Sequence, residues 1–162
     1  MIEAIYIARD YGGEQESVNE IEVVAGAGIV GDRYFRADKS PGQNVTLIEI
    51  EEIEHFNEKF GACLAPGATR RNIVTRGVRL NELVGKEFSI GEVTFFGVEL
   101  CEPCASLGAT LENKGISKKE IVRGLLHRAG LRVNVLIGGK LFVNVGGEVC
   151  ILKNAAKETP AL

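Results

Sequence analysis

Short runs in which apolar and polar residues alternate make up much of the chain, and glycines separate these runs. Residues 1–8 have isoleucine at positions 2, 5 and 7, residues 21–24 are mostly β-branched, and Gly12 and Gly13 lie between the two runs. Such runs bounded by glycine are typical of strands that pair across a turn. We therefore expect residues 1–8 and 21–24 to pair and to open a sheet.

Further strand-like runs lie at residues 44–48, 86–90, 93–100, 132–137 and 140–145. Gly91-Glu92 separates the second of these runs from the third, and Gly138-Gly139 separates the fourth from the fifth, so we expect two hairpins. Gly146-Gly147 makes another turn, which leads into a last strand over residues 149–152.

A helix is predicted directly after the strand at 44–48. Apolar residues recur there at steps of three and four, at Ile50, Ile53, Phe56 and Phe60. Gly61 ends this pattern. Thr46 and Glu49 match a capping box, which leaves open a helix that begins earlier and includes the end of the strand.

A second helix is indicated near residue 120. Ser117 and Glu120 form a capping box ahead of four apolar residues, Ile121, Val122, Leu125 and Leu126. Gly130 is the predicted stop.

Strands therefore outnumber helices in the predicted element order. Many short strands joined by glycine turns favour a mainly β fold, closed into a barrel with two or three short helices, over a parallel sheet of βαβ units. A chain of 162 residues is the size of one domain. We place that domain at residues 1–153 and expect residues 154–162 to form a frayed tail.

The formal net charge of −3 gives the chain no overall attraction to nucleic acid or anionic lipid, so an anion would need a local basic cluster. Residues 1–4 lack the pattern of a signal peptide, and no apolar segment is long enough to span a bilayer. We therefore expect a cytoplasmic protein with reduced thiols, no membrane contact and no nucleic-acid partner.

The motif Cys101-Glu102-Pro103-Cys104 follows directly after the apolar run at 93–100. Proline is favoured at the first position of a helix, which would place Cys104 in the opening turn of a short helix through Leu107. A helix N-terminus lowers the pKa of a thiol and favours the thiolate that attacks and binds metals. We predict a reactive Cys104 and a packing role for Cys101.

Two other chemical interpretations of this CxxC motif have less support. A structural zinc site needs a second close pair of ligands, whereas the remaining candidates are scattered singly at His55, Cys63, His127 and Cys150. A thioredoxin-like redox pair stays open, although the usual βαβ context is missing.

Glycines at 26, 28 and 31 match the dinucleotide-binding pattern after a predicted strand, but no helical period follows them. We interpret them as a loop that permits positive φ angles and carries Asp32 and Arg33 to a common place. Asp32 supplies a carboxylate and Arg33 a planar set of donors.

A second polar group, Arg70-Arg71-Asn72, precedes the run Ile73-Val74-Thr75. Alternation along a strand would send Arg70 and Asn72 to one face, which could bind an anion together with Thr75. Paired arginines are usually solvated, however, and the sequence leaves these two interpretations evenly balanced.

Taken together, several motifs resemble the MOSC family, the domain named for the C-terminus of molybdenum cofactor sulfurase. The matching segments, in the family's order, are Gly31-Asp32-Arg33, residues 43–48, residues 70–78, Leu83-Val84-Gly85 and residues 100–107. The most specific part is Arg70-Arg71-Asn72-Ile73 followed by Pro103-Cys104.

The resemblance implies a β-barrel that binds a molybdopterin-type cofactor or carries sulfur as a persulfide. By this resemblance Cys104 would be the sulfur carrier or the molybdenum ligand, and Arg70 and Asn72 would face the pterin, with weaker matches at Asp32 and Arg33. A soft thiolate suits a metal with high sulfur affinity, and guanidinium groups suit a phosphate.

The chain lacks the amino-terminal barrel of the family's reductases and the aminotransferase-like domain of its sulfurases. Half of a cofactor pocket would then come from elsewhere, from a second copy of the chain or from a sulfur-donor or electron-transfer partner. The alternatives to a molybdenum-dependent redox or sulfuration activity are a non-catalytic cofactor-binding or sulfur-relay module and a dithiol redox protein.

Overall fold

The computed structural model describes residues 1–36, 42, 44–103, 116–144 and 149–151. Within them lie eleven strands: β1 Ile2–Ile7, β2 Glu16–Val18, β3 Glu20–Val24, β4 Gly28–Ile29, β5 Val45–Glu49, β6 Ile73–Thr75, β7 Glu87–Ile90, β8 Val93–Leu100, β9 Leu131–Ile137, β10 Gly139–Phe142 and β11 Val149–Ile151. The helices of the same residues are α1 Ile50–Phe60 and α2 Lys118–Leu125, with 3₁₀ helices at Pro66–Thr69 and Leu80–Leu83.

The strands form two sheets. The larger has the order β11-β7-β8-β9-β5-β6-β1-β2, and the smaller has the order β10-β3-β4. β5 and β6 are parallel, and the remaining named pairs are antiparallel. The prediction of a mainly β fold is confirmed. The predicted closure into a barrel is wrong for the described strands, because their hydrogen bonds leave edges at β2 and β11.

Two of the predicted strand pairings differ from the structure. β1 pairs with β2 and β6, whereas β3 pairs with β10 and β4 in the smaller sheet. The hairpin predicted around Gly138 and Gly139 is also absent from the described pairings, because β9 stays in the large sheet and β10 enters the small one. A Cβ on Gly138 would lie 2.4 Å from the Val23 carbonyl oxygen. Glycine at this position therefore allows the backbone to approach β3 closely where the chain leaves β9 for β10.

Several other predicted elements agree with the structure. β7 and β8 form the expected hairpin. α1 begins directly after β5 and ends at Gly61, whose φ is 60°. The longer helix that would begin at a Thr46 capping box does not form, because Thr46 belongs to β5. The capping box of Ser117 and Glu120 is present at the start of α2. The predicted stop at Gly130 is wrong, because α2 ends at Leu125 and His127 already has a left-handed backbone with φ of 58°.

The core consists of two clusters of buried apolar side chains. One cluster lies between the sheets and includes Ile5, Leu47 and Phe95. The other lies beneath the helices and includes Phe56, Leu125 and Cys101. A Cβ on Gly124 would lie 2.6 Å from the Phe60 ring, so the two helices pack closely at that residue. The predicted packing role of Cys101 is confirmed by its burial.

Among the described residues, no helix has the length and apolar character that a bilayer crossing requires. The predicted helix from Cys104 to Leu107, the turn at Gly146-Gly147 and the tail at 154–162 lie outside the described residues.

Candidate functional site

The glycine-rich loop after β3 carries Asp32 and Arg33, as predicted. Gly26, Gly28 and Gly31 have φ angles of 70°, 103° and 83°. At Gly28 a Cβ would also lie 2.6 Å from the Cβ of Asn44, so both the backbone conformation and the close packing favour glycine there. Residues 30–34 continue as turns and bends.

Asp32 is buried and accepts hydrogen bonds from three donors. Its Oδ2 accepts from the Ala8 amide at 3.1 Å and from the Asn72 side chain at 3.3 Å. Its Oδ1 accepts from the Tyr34 amide at 3.0 Å. These bonds hold the carboxylate in one orientation and tie the end of β1 to the glycine-rich loop.

Asn72 uses its whole side-chain amide within the protein. Nδ2 donates to the Tyr6 carbonyl at 3.2 Å and to Asp32, while Oδ1 accepts from the Thr46 amide at 3.2 Å and the Thr46 hydroxyl at 3.0 Å. An amide side chain has two donors and two acceptor positions, and all four are occupied. Asn72 therefore orients its neighbours instead of presenting a free amide.

Arg33 is almost fully buried, with 7% of its side chain exposed. Its Nη1 lies 3.9 Å from Asp32 Oδ2, which is too far for a hydrogen bond, and this buried nitrogen has no hydrogen-bond partner among the described residues. Its Cζ lies 4.6 Å from the centroid of the Tyr34 ring, within cation–π range. The Tyr34 ring thus holds the guanidinium in place, and its Nη1 can still donate a hydrogen bond to a ligand.

Arg70 reaches the same region from the end of a 3₁₀ helix. It adopts a left-handed backbone with φ of 60°. Its Nη1 donates to the Gly13 carbonyl at 3.0 Å. Burial, and then the positive charge of Arg33, lower the pKa of Arg70 below its ordinary value. The positive charges of these two side chains, which we call the guanidinium pair, therefore act on each other.

The strand argument that placed Arg70 beside Asn72 is wrong in its geometry. β6 begins only at Ile73, so Arg70 and Asn72 do not alternate along a strand. They meet Asp32 and Arg33 through a turn and through side-chain hydrogen bonds. That outcome depends on tertiary contacts between segments far apart in the sequence.

Arg71 and Thr75 lie apart from the guanidinium pair. Nε of Arg71 donates to the Ala129 carbonyl at 2.8 Å, and its charge acts on the Cys101 thiol. Thr75 is fully buried, and its hydroxyl donates to the Ile48 carbonyl at 3.3 Å. Of the predicted cofactor-binding residues, the structure brings together Asp32, Arg33, Arg70 and Asn72.

The cysteine motif lies at the exit of β8. Cys101 is fully buried, and its amide donates to the Gly130 carbonyl at 2.7 Å. Burial raises the pKa of the Cys101 thiol, although Arg71 and Arg132 act in the opposite direction. Cys104 lies outside the described residues, so its roles as nucleophile and metal ligand remain predictions. In the described part of the chain, no three His, Cys, Asp or Glu side chains are grouped to hold a metal ion.

Glu102, within the same motif, binds His127 beyond the end of α2. Glu102 Oε1 lies 2.7 Å from His127 Nδ1, and Oε2 accepts from the His127 amide at 3.1 Å. Partial burial would raise the pKa of Glu102, but the hydrogen bonds from His127 outweigh it and lower that pKa. The motif is therefore anchored to the segment between α2 and β9.

Sequence reasoning missed the contribution of residues 8–15, which join β1 to β2. Both polar atoms of the Gln15 side-chain amide are buried, and neither has a hydrogen-bond partner within the described segments. An open hollow of about 350 Å³ is lined by Arg9, Asp10, Gly13, Glu14, Gln15 and Glu16. The sequence signal here was a Gly-Gly turn alone, and such a turn indicates no ligand.

Comparison with known proteins identifies a family for most of the chain. A model of the MOSC domain matches residues 35–150, a range that includes the Arg70-Arg71-Asn72 group and the cysteine motif but begins just after Arg33. A comparison with curated proteins found no match.

Several solved structures share the fold. The crystal structure of YuaD from Bacillus subtilis has a TM-score of 0.78 at 19% identity, with 88% of this chain and 90% of that chain covered. YiiM from Geobacillus stearothermophilus has a TM-score of 0.68 at 14% identity, with 97% and 78% covered. YiiM from Escherichia coli has a TM-score of 0.62 at 17% identity, with 94% and 69% covered. At these identities the likeness concerns the fold alone.

Proposed function

This chain belongs to the MOSC domain family, and from that premise we propose that it binds a molybdopterin-type cofactor and uses Cys104 to carry sulfur or to ligate molybdenum. The family is associated with molybdenum cofactor binding and sulfurase-related function. The proposal therefore assigns the family's chemistry to particular residues of this chain.

The observation that carries the proposal is the unpartnered Nη1 of Arg33. A buried donor without an acceptor costs free energy, on the order of 1–3 kcal/mol or more for a charged group. The charges of two guanidinium groups act on each other there, and the carboxylate of Asp32 lies 3.9 Å from Arg33 Nη1. An anionic ligand would supply the missing acceptor and relieve the repulsion between Arg33 and Arg70.

The residues present fit the phosphate end of such a cofactor. Planar guanidinium groups bind phosphate oxygens through paired charge-assisted hydrogen bonds. Arg33 and Arg70 would donate to the phosphate, while Asp32 and Asn72 keep Arg33 in position. When bound, the cofactor supplies a metal of high sulfur affinity, for which a thiolate is a suitable ligand.

The sulfur-carrying step assigned to Cys104 is a thiol exchange with a persulfide donor. The Cys104 thiolate attacks the outer sulfur of the donor, R–S–SH, and forms a new S–S bond as the donor's S–S bond breaks. The products are a Cys104 persulfide and the donor thiolate, R–S⁻. No external oxidant is required, because the donor already holds sulfur at the persulfide level.

The first test is retention of the cofactor. The chain is produced in a host that makes molybdenum cofactor, and bound molybdenum and pterin are measured by elemental analysis and fluorescence. We expect Arg33→Ala and Arg70→Ala to retain at least about tenfold less of both, since each removes charge-assisted hydrogen bonds. Arg123→Ala, at an exposed position of α2, is the matched control. Equal retention by all four proteins would refute the assignment.

The second test concerns the sulfur. Incubation with a low-molecular-weight persulfide, followed by mass spectrometry, should show one added sulfur on the peptide that contains Cys104. Cys104→Ser should abolish this addition, whereas Cys101→Ser should leave it nearly intact. Sulfur found on Cys101 instead would contradict the proposal.

The alternatives make different predictions. A sulfur-relay or cofactor-binding module would retain the cofactor without turning over an N-hydroxylated substrate in the presence of an electron donor. A dithiol redox protein would lose activity in Cys101→Ser. The burial of Cys101 and the raised pKa of its thiol support the hypothesis that Cys104 alone carries the sulfur chemistry.

The proposal includes a cytoplasmic location and a partner that completes the pocket. The partner is a sulfur donor, an electron-transfer protein or a second copy of the chain. Size measurement in solution, with and without cofactor, distinguishes the homodimer from the other two.

A further inference from the structure

Gln15 is a half-buried residue whose side-chain amide atoms are buried and make no hydrogen bond within the described residues. Both Nε2 and Oε1 are inaccessible to solvent, and neither has a hydrogen-bond partner in the part of the chain that the structure describes. Nearly all buried polar side-chain atoms in native proteins are paired, so an amide with an unused donor and an unused acceptor needs an explanation. A ligand that presents an acceptor beside a donor would use both atoms at once.

The loop that carries Gln15 is attached to the guanidinium pair at two points. At its start, Ala8 donates its amide to Asp32 and accepts from the Arg33 amide at 2.7 Å. Further along, the Gly13 carbonyl accepts from Arg70, and Gly13 and Gln15 line the same open hollow. The unpaired amide therefore belongs to the same region as the proposed phosphate site.

An exposed aromatic ring lies in the same loop. Tyr11 is 64% exposed, and its ring centroid lies 5.4 Å from that of Tyr34 in a T-shaped arrangement. Tyr34 in turn lies beneath the Arg33 guanidinium. A tyrosine held in this way offers a flat apolar surface for stacking on a planar ligand.

We infer that the loop at residues 8–15 binds a planar lactam ring, one whose edge places an N–H beside a C=O, through the amide of Gln15. The guanidinium pair holds the anionic tail of the same ligand. A pterin has such an edge, so this inference rests on the proposed function and assigns Gln15 to the ring end of the cofactor. Guanine carries the same edge and is the second source of this chemistry.

The test uses three probes: 6-hydroxymethylpterin phosphate, its N3-methyl derivative and guanosine monophosphate. Methylation at N3 removes the ring N–H and leaves the tail unchanged. The purified wild-type chain should bind the parent pterin at least about tenfold more tightly than the methylated one, since a site that pairs with a polar edge rejects an analogue lacking it. Tighter binding of guanosine monophosphate than of the pterin would identify a purine as the source.

Gln15→Leu keeps a side chain of similar size and removes the amide. We expect it to weaken binding of the parent pterin by about tenfold and to abolish discrimination against the methylated one. Its ligand-free melting temperature should rise by about 2–4 °C, because an unpaired buried amide is gone. Glu58→Ala, at an exposed position of α1 outside this loop, should change neither quantity.

Three outcomes would overturn the inference. One is equal binding of the two pterins by the wild-type chain, a result that does not depend on how any variant folds. The others are wild-type affinity in Gln15→Leu and a lower melting temperature in that variant. If Arg33→Ala weakens binding of the pterin phosphate while Gln15→Leu does not, the inference fails and the proposed function stands. If Arg33→Ala has no effect, it is the proposed function that fails.

Discussion

Nδ2 of Asn72 donates to Oδ2 of Asp32 at 3.3 Å, which joins two residues forty positions apart. Asp32 also holds the start of the loop at residues 8–15 through the Ala8 amide. Asn72 is bonded to β1 through the Tyr6 carbonyl and to β5 through Thr46. One pair of buried polar side chains thus connects three segments and positions the guanidinium pair beside them.

Asn72→Ala should destabilise the protein strongly. The substitution removes four hydrogen bonds. It deprives the Asp32 carboxylate of one donor and the Thr46 amide and hydroxyl of their acceptor in a buried site, so we expect a loss of about 2–4 kcal/mol in the free energy of unfolding. Urea unfolding measures it. Asn81→Ala is the matched control, because Asn81 is exposed and its side chain makes one hydrogen bond within the described residues, to the His127 carbonyl. A loss below about 1 kcal/mol in Asn72→Ala would show that the hydrogen bonds of the Asn72 side chain are not needed for stability.

The cysteines should differ in reactivity. Cys101 is fully buried with a raised thiol pKa, so we expect iodoacetamide to modify it at least about tenfold more slowly than the exposed Cys63 at neutral pH. Cys104 should react fastest and should stay reactive at a lower pH than an ordinary thiol. Mass spectrometry of the cysteine peptides over time gives each rate. In urea the three cysteines should react at similar rates. Similar rates in the folded protein as well would remove the argument that Cys104 has a lowered thiol pKa.

Glu49 should make the stability depend on pH. Burial raises the pKa of this carboxyl, although the Leu80 amide and Arg79 act in the opposite direction. A raised folded-state pKa contributes stability that is fully present below the ordinary value of 4.5 and is lost as the pH rises through the folded-state pKa.

The stability of Glu49→Gln relative to wild type should therefore increase between about pH 4.5 and pH 7. Urea unfolding at several pH values measures this difference. Glu58→Gln, at an exposed position of α1, is the control and should show no such trend. If the stability of Glu49→Gln relative to wild type falls over the same pH range, the folded-state pKa of Glu49 is lowered and not raised.

Two glycines with positive φ should respond differently to alanine. A Cβ on Gly130 would lie 2.0 Å from the Leu47 carbonyl oxygen, whereas a Cβ on Gly12 would meet nothing within 4 Å. We expect Gly12→Ala to cost about 1 kcal/mol through backbone strain, and Gly130→Ala to cost at least about 3 kcal/mol or to prevent folding. Thermal unfolding measures both. Equal losses would mean that β5 and the segment at Gly130 separate easily.

Local patterns in the sequence were sufficient to predict many elements. The helical spacing from Ile50 to Phe60, the stop at Gly61 and the capping box of Ser117 and Glu120 are all present. The hairpin of β7 and β8 has its predicted partners. These features depend on residues that are neighbours along the chain, and short-range backbone and side-chain preferences therefore decide them.

Strand partners were predicted less well. β3 does not pair with β1, its predicted partner, and β9 and β10 lie in different sheets instead of forming a hairpin. Two alternating strands on either side of a glycine turn have the same local pattern whether they pair with each other or with distant strands. The choice depends on which sheet buries each apolar face, and that is settled by contacts across the whole core.

The sequence by itself determined the element types, the mainly β class and the segments that resemble the family, because each is written in residues close together along the chain. Only the tertiary structure decided which polar residues meet. It brought the charges of Arg33 and Arg70 within range of each other, oriented Asp32 through Asn72 and put Thr75 in the core. It also left the Gln15 amide without a partner among the described residues. The physical reason is that buried hydrogen bonds join side chains from separate segments, and their geometry exists only once the sheets have packed.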